Sequence, residues 1–152
     1  MDRISLSQIA EMAGARILQG SPEMLVSSVS KDSRTIQHGD LYVALRGENF
    51  DGNAYASDAL ARGAAAVLLD SAETAHSISS QHPVLLVENG LAALTRLAAA
   101  WRSKLKLKVV GITGSSGKTS TKDFTAAVLG SRLKVVKTSG NLNNHIGVPL
   151  SI

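Results

Sequence analysis

The sequence contains no cysteine, which excludes disulfide staples, thiolate zinc sites and cysteine nucleophiles and fits a reducing compartment. Aromatic residues make up only 3%. A core, if there is one, must be assembled from Ala, Val, Leu and Ile, a composition suited to packed α/β layers. Long apolar runs are also missing. The longest, Ala64 to Leu69, falls far short of the ~20 residues needed to cross a bilayer. The opening MDRISLSQIAEMAG lacks the apolar centre of a secretory signal, so a cytoplasmic protein without membrane insertion is expected. No internal repeat or low-complexity tract is present.

What the chain does have is a globular balance. It is 152 residues long, with 44% hydrophobic and 18% charged residues, enough for one domain or one and a fraction. Lys and Arg exceed Asp and Glu by 16 to 12. The basic residues are scattered apart from Lys104, Lys106 and Lys108, and the aromatics do not interleave with them, so no nucleic-acid platform is expected. A binder of small phosphorylated ligands explains the same charge.

Ser5-Leu-Ser-Gln8 has capping-box spacing, and Gly14 can end the helix it starts, predicting a helix over 6–13. Short strands are predicted at 15–18 and 25–29, and a stronger one at 40–45 (DLYVAL). Gly47–Asn53 (GENFDGN) reads as an exposed loop, 54–62 as a helix, 64–70 as a buried strand and 71–82 as polar with no clear period. A strand at 84–87 follows. Asn89 then caps a helix with Leu91, Leu94, Leu97, Ala98 and Trp101 on one face. Beyond a basic linker, a strand at 108–112, a glycine-rich turn, a helix to about 131 and a strand at 133–137 form the start of a βαβ unit.

The turn Gly111-Ile-Thr-Gly114-Ser-Ser-Gly117-Lys118-Thr119-Ser120 carries the sharpest chemical signal. Glycines let backbone N–H groups converge on phosphate oxygens, and a helix opening there turns the positive end of its dipole to the same anion. Lys118 can reach β and γ phosphates, and the Thr119 hydroxyl can ligate Mg²⁺. The spacing departs from the common G-x-x-x-x-G-K-[ST] form, because Ile112 stands where that form has glycine. The loop alone says only that a nucleotide binds.

The spacing T-G-x-x-G-K-T-S resembles that of the Mur ligases and the related folylpolyglutamate synthases. Lys31-Asp-Ser-Arg34, followed by Gly39–Gly47 and Asp51-Gly52, is similar to the UDP-binding domain of Mur ligases, which the folylpolyglutamate synthases lack. Thr138-Ser-Gly-Asn-Leu-Asn-Asn-His-Ile-Gly-Val-Pro149 and the Gly-Ser-Ser-Gly turn resemble the D-Ala-D-Ala-adding branch more than the branch that adds the third residue. The resemblance implies an α/β fold: a small mixed-sheet UDP-binding domain over 1–104, then the truncated start of a parallel-sheet P-loop ATPase domain over 105–152. It implies an ATP-dependent amide ligase with ATP and Mg²⁺ as cofactors. UDP-N-acetylmuramoyl-tripeptide and D-alanyl-D-alanine are its implied small-molecule substrates, and a monomer is expected at full length. Only two predicted strands of the second unit's sheet are in this chain, without the acidic metal ligand and further domain of the family, so it is expected to be a fragment inactive alone.

By the same resemblance, Ser33, Arg34, Glu48, Asn49, Phe50 and Asp51 match positions near the UDP group. Gly114, Ser115, Ser116, Gly117, Lys118, Thr119 and Ser120 match the ATP loop, with Lys118 and Thr119 catalytic and Thr119 on the metal. Asn141 and Asn144, with Asn143 and His145 beside them, would flank the nucleotide. Simpler roles stay open: Asp-Ser-Arg as an Asx-type turn, Phe50 as a core plug, the asparagines as turn residues. Two other functions also stay open, a ligase that adds the third residue and a noncatalytic UDP-sugar-binding module.

Overall fold

A computed structural model describes residues 3–138 and 146–151. Its elements are β1 (Ile4–Ser5), α1 (Leu6–Ala13), β2 (Arg16–Gln19), β3 (Leu25–Val26), β4 (Ser28–Ser30), β5 (Asp40–Val43), β6 (Arg46–Gly47), β7 (Phe50–Asp51), α2 (Ala56–Ala61), β8 (Ala66–Leu69), α3 (Ala72–Ser77), β9 (Val84–Leu86), α4 (Gly90–Lys104), α5 (Lys118–Gly130) and α6 (Gly147–Leu150). Two 3₁₀ turns, Ser33–Thr35 and Gly52–Tyr55, complete the set.

Five strands form a mixed sheet in the order β2-β9-β8-β5-β4. β4, β5, β8 and β9 run parallel and β2 joins β9 antiparallel. Because side chains alternate across a strand, the apolar runs of β5 and β8 serve two layers. Leu41, Val43, Ala66, Leu68 and Leu85 meet α1 and α4 on one face. Tyr42, Val67, Leu69 and Val84 meet α2 and α3 on the other. Burial of each such leucine contributes about 1.5–3 kcal/mol.

The ends of α1 follow from sequence. The Ser5 N–H donates to Gln8 Oε1 at 3.1 Å while Ser5 Oγ accepts from the Gln8 N–H at 3.3 Å. Gly14 closes the helix at φ 66°, a left-handed conformation that suits glycine. Arg96 of α4 donates Nε to the Ala13 carbonyl at 2.9 Å, placing a cation on the negative end of α1.

The structure departs from the sequence reading in four places. The 25–29 strand divides into β3 and β4, which enter different sheets. The loop 47–53 contains part of a hairpin, with Arg46 opposite Asp51 and Gly47 opposite Phe50. The polar stretch after Asp70 holds α3, started by Ser71 Oγ accepting from the Thr74 N–H. Finally, 108–112 and 133–137 form no strands. A strand exists only through a hydrogen-bonded neighbour about 4.8 Å away. Neither segment pairs with the other or with the sheet, and Val109, Val110 and Val136 are exposed. α5 forms as expected but buries none of its residues, and Phe124 and Val128 face solvent. Ile146 and Leu150 pack against the core beneath α4.

Candidate functional site

Parallel strands bring their carboxyl ends to one edge of a sheet, where ligands of open α/β folds gather. Here the carboxyl end of β4 leads into Lys31–Arg34, that of β5 into Leu45 and Arg46, and that of β8 into Asp70. A cleft of about 540 Å³ opens at this edge. Lys31, Asp32, Ser33 and Arg34 line it together with Tyr42, Arg46, Gly47, Phe50, Tyr55 and Asp58.

Each side of the cleft has a structural cause. Asp32 starts the 3₁₀ turn by accepting the Arg34 N–H at 3.0 Å. It also receives the Arg34 guanidinium as a fork, Nε to Oδ1 at 2.9 Å and Nη2 to Oδ2 at 2.7 Å. That fork holds the Asp32 carboxyl well below the usual carboxylate range. Asp-Ser-Arg is thus an Asx-type turn that also lines the cleft, and Arg34 has much of its hydrogen-bonding capacity engaged. Ser33 is buried, and the Asp58 carboxyl is lowered first by Arg62 and then by the Ser33 hydroxyl.

Opposite stands the β6–β7 hairpin. Gly52 lets it fold back, because a Cβ there would lie 2.6 Å from Leu45 N and 2.7 Å from Leu45 O. The Gly52 N–H donates to Leu45 O at 2.9 Å, and the buried Tyr42 hydroxyl donates to Gly52 O at 2.9 Å. Burial pushes the Tyr42 phenol up to about 12. The pinned hairpin presents Phe50, which is half exposed and stacked on Tyr55 with centroids 5.3 Å apart and planes at 17°. Phe50 is therefore no core plug. Glu48 and Asn49 form the exposed hairpin turn but do not line the cleft. Asp51 accepts from Asn53 N and Nδ2 at 2.9 and 2.6 Å, contacts that lower its carboxyl, and its other oxygen stands 3.8 Å from Arg46 Nε, but it too lies outside the lining.

Sequence reasoning did not single out Arg46, Asn53, Tyr55 or Asp70. The available signal was a polar residue directly after each apolar strand: Asp70 closes Ala64–Leu69, and Arg46 closes DLYVAL.

The phosphate loop lies apart from this cleft in sequence. Gly114 (φ 151°) and Gly117 (φ 75°) take conformations that other residues resist, and Gly117 opens α5 with no side chain capping its first turn. Lys118 Nζ donates to Gly114 O at 2.6 Å and Ser115 O at 3.4 Å, folding over the loop. Ser115 and Ser116 form the bend, while Thr119 and Ser120 stand in the first turn of α5. Lys122 Nζ donates to Thr138 O at 2.9 Å and Lys137 pairs with Asp123 at 2.7 Å, tying the segment after α5 to its amino-terminal half. Asn141, Asn143, Asn144 and His145 lie outside the described residues.

Two family models match this arrangement: "Mur ligase family, catalytic domain" over residues 25–102 and "Mur ligase middle domain" over 112–152. The chain belongs to the Mur ligase family. This Mur ligase chain is 40% identical, over its whole length, to the UDP-N-acetylmuramoyl-tripeptide–D-alanyl-D-alanine ligase of Bacillus subtilis, of which it covers 33%. It is 39% identical to the Escherichia coli ligase of the same name, again over its whole length and 32% of that protein. Among solved structures it matches a MurF from Acinetobacter baumannii with TM-score 0.88 and 29% identity, covering 99% of this chain and 33% of that one. A Thermotoga maritima MurF ligase in complex with ADP matches with TM-score 0.71 and 35% identity over 83% of this chain and 28% of that one. The Mur ligase chain thus spans about a third of the length of these relatives. Among the described residues no helix is long and apolar enough to cross a membrane.

Proposed function

We propose that this chain supplies the UDP-muramoyl-peptide cleft and the ATP phosphate cradle of a ligase. That ligase joins D-alanyl-D-alanine to UDP-N-acetylmuramoyl-tripeptide in peptidoglycan precursor synthesis. The observation that carries the reading is the uncapped start of α5, with left-handed glycines at 114 and 117 and Lys118 folded over the loop. Residues 1–104 would form the UDP unit and 105–152 the start of the ATPase unit. With soluble nucleotide substrates the enzyme would work in the cytoplasm, as a monomer at full length.

A carboxylate is a poor electrophile, so ligation needs a leaving group on it. The terminal carboxylate of the tripeptide attacks the γ-phosphorus of ATP, ADP departs, and an acyl phosphate results. The amine of D-alanyl-D-alanine then attacks the acyl carbon, phosphate departs, and the amine proton passes to base. Phosphoryl transfer of this kind is largely positioning and charge stabilisation. Backbone N–H groups of Gly114–Ser120 would hold phosphate oxygens, and the Lys118 ammonium would leave the loop carbonyls for the β and γ oxygens. Bound Mg²⁺ would neutralise charge on the transferring group. The chain fits it in part, for Thr119 offers a hydroxyl beside the cradle, and among the described residues no cluster of three His, Asp or Glu could hold a metal. Across the cleft, Ser33, Arg34 and Phe50 would meet the UDP group, and Asn141 and Asn144 would contact the nucleotide of ATP.

Calorimetry on the 152-residue chain, and a chimera carrying it in place of the matching third of the Bacillus subtilis relative, test the reading. The chain should bind UDP-N-acetylmuramoyl-tripeptide, and the chimera should ligate. Lys118→Ala in the chimera should abolish ligation and leave UDP-peptide affinity within about twofold, because Lys118 and the cleft share no contact. Unchanged turnover would remove the phosphate-loop assignment. Selective use of a dipeptide substrate would favour the third-residue ligase instead.

A further inference from the structure

Three cations line the cleft, but they are not equally prepared to hold an anion. Arg34 spends Nε and Nη2 on Asp32. Lys31 is exposed on a flexible stem. Arg46 differs. Its Nε donates to Asp70 Oδ1 at 2.8 Å and stands 3.8 Å from Asp51 Oδ2, while Nη1 and Nη2 have no hydrogen-bond partner among the described residues. Half of the Arg46 side chain is exposed, whereas that of Asp70 is 8% exposed.

Asp70 is itself fixed from three directions. Asn53 Nδ2 donates to Oδ1 at 2.8 Å, and the Gly90 N–H at the start of α4 donates to Oδ2 at 3.2 Å. The Asp70 N–H in turn donates to Asn53 Oδ1 at 3.2 Å. Gly90 can approach so closely because it lacks a Cβ, which would fall 2.3 Å from Ala44 O. A guanidinium anchored through Nε presents its remaining N–H groups in one direction. Little side-chain freedom is then left to lose when an anion arrives.

We propose that Arg46 is an anion-binding residue of the cleft, contacting the diphosphate of the UDP group, and that Asp70 is its positioning residue. The proposal rests on the UDP-cleft reading and adds to it a residue pair that the resemblance does not supply. The bond from Nε to Asp70 sets the direction of the fork. The two Nη groups then donate to diphosphate oxygens as charge-assisted hydrogen bonds.

Calorimetric titration of the 152-residue chain with UDP and with uridine tests this. Arg46→Gln should weaken UDP binding about tenfold, the scale of one charge-assisted hydrogen bond. It should leave uridine binding within about twofold, since uridine has no phosphate. Asp70→Asn should weaken UDP about fivefold and spare uridine. The double variant should bind UDP within about twofold of Arg46→Gln alone, because Asp70 acts through Arg46. Multiplied effects in the double variant, or equal losses for UDP and uridine, would make Asp70 a structural residue only and overturn the proposal. Arg46→Lys leaves the Asp70–Gly90 contact standing and keeps charge without the fork, so it covers the case of Asp70→Asn failing to fold. It should lose at least about threefold, and wild-type affinity there would overturn the proposal. If the unaltered chain binds neither UDP nor UDP-N-acetylmuramoyl-tripeptide, the cleft reading itself falls and the proposal with it. Binding of UDP with no effect of Arg46→Gln sinks the proposal alone.

Discussion

Tyr42→Phe removes one oxygen from the middle of the first unit, and its effect can be worked out in advance. The hydroxyl is buried, at 1% exposure of the residue, and donates to Gly52 O at 2.9 Å. Phenylalanine fills nearly the same space but leaves that carbonyl without its donor. Loss of one partner of a buried hydrogen bond costs about 1–3 kcal/mol, which for a chain of this size lowers Tm by about 2–4 °C per kcal/mol. The cost should also depend on pH. In the folded state the phenol is held neutral up to about 12, against an ordinary value of 10.0. The folded state therefore binds the proton more tightly, and its stabilisation is complete below pH 10. It is lost as pH rises toward 12, by about 1.4 kcal/mol at pH 11 and at most about 3 kcal/mol beyond. The variant has no such group. Urea unfolding followed by circular dichroism at 222 nm should give a wild-type advantage of about 2 kcal/mol at pH 8 that shrinks steadily between pH 9 and 11.5. An advantage unchanged across that span, or absent at pH 8, would refute the account of Tyr42 as a neutral donor to the hairpin. UDP affinity should fall with the loosened hairpin, since Phe50 is presented by it.

Two further substitutions probe the frame around the cleft. Gly90→Ala drives a methyl group into Ala44 O and displaces the N–H that holds Asp70; thermal unfolding should show a loss of about 1–3 kcal/mol. A stability within 0.3 kcal/mol of wild type would mean that α4 starts farther from β5 than described. Ser5→Ala removes the hydroxyl that accepts from the Gln8 N–H, leaving only the backbone half of the α1 capping box, and should lose about 1 kcal/mol by chemical denaturation, with UDP affinity unchanged because α1 packs on the sheet face away from Phe50 and Tyr55.

Local chemistry made much of the fold legible in sequence. The S-x-x-Q box and Gly14 bounded α1 as observed, and Asn89 started α4 through its side chain accepting from the Ala92 N–H. The buried strands at 40–45 and 64–70 could be read because they serve two apolar layers. Features set by distant contacts could not. The β6–β7 hairpin depends on Gly52 meeting Leu45, and nothing in GENFDGN announces that meeting. α3 buries only Ala75, so its polar surface gave no period. Lys108–Ile112 and Leu133–Lys137 have strand composition but no neighbour to pair with. At the cleft, resemblance pointed to Ser33, Arg34 and Phe50, which line it, and to Glu48, Asn49 and Asp51, which do not. Arg46 and Asp70 escaped notice because their partnership spans the gap between β5 and β8.

The groups around the cleft sit on the turns that follow β4, β5 and β8, whereas the interior of those strands carries the packing. Reshaping what the turns grip need not disturb the layers beneath them, provided that Gly52 and Gly90 remain without side chains. Those two hydrogens mark where freedom to change the ligand stops and the architecture itself would begin to give way.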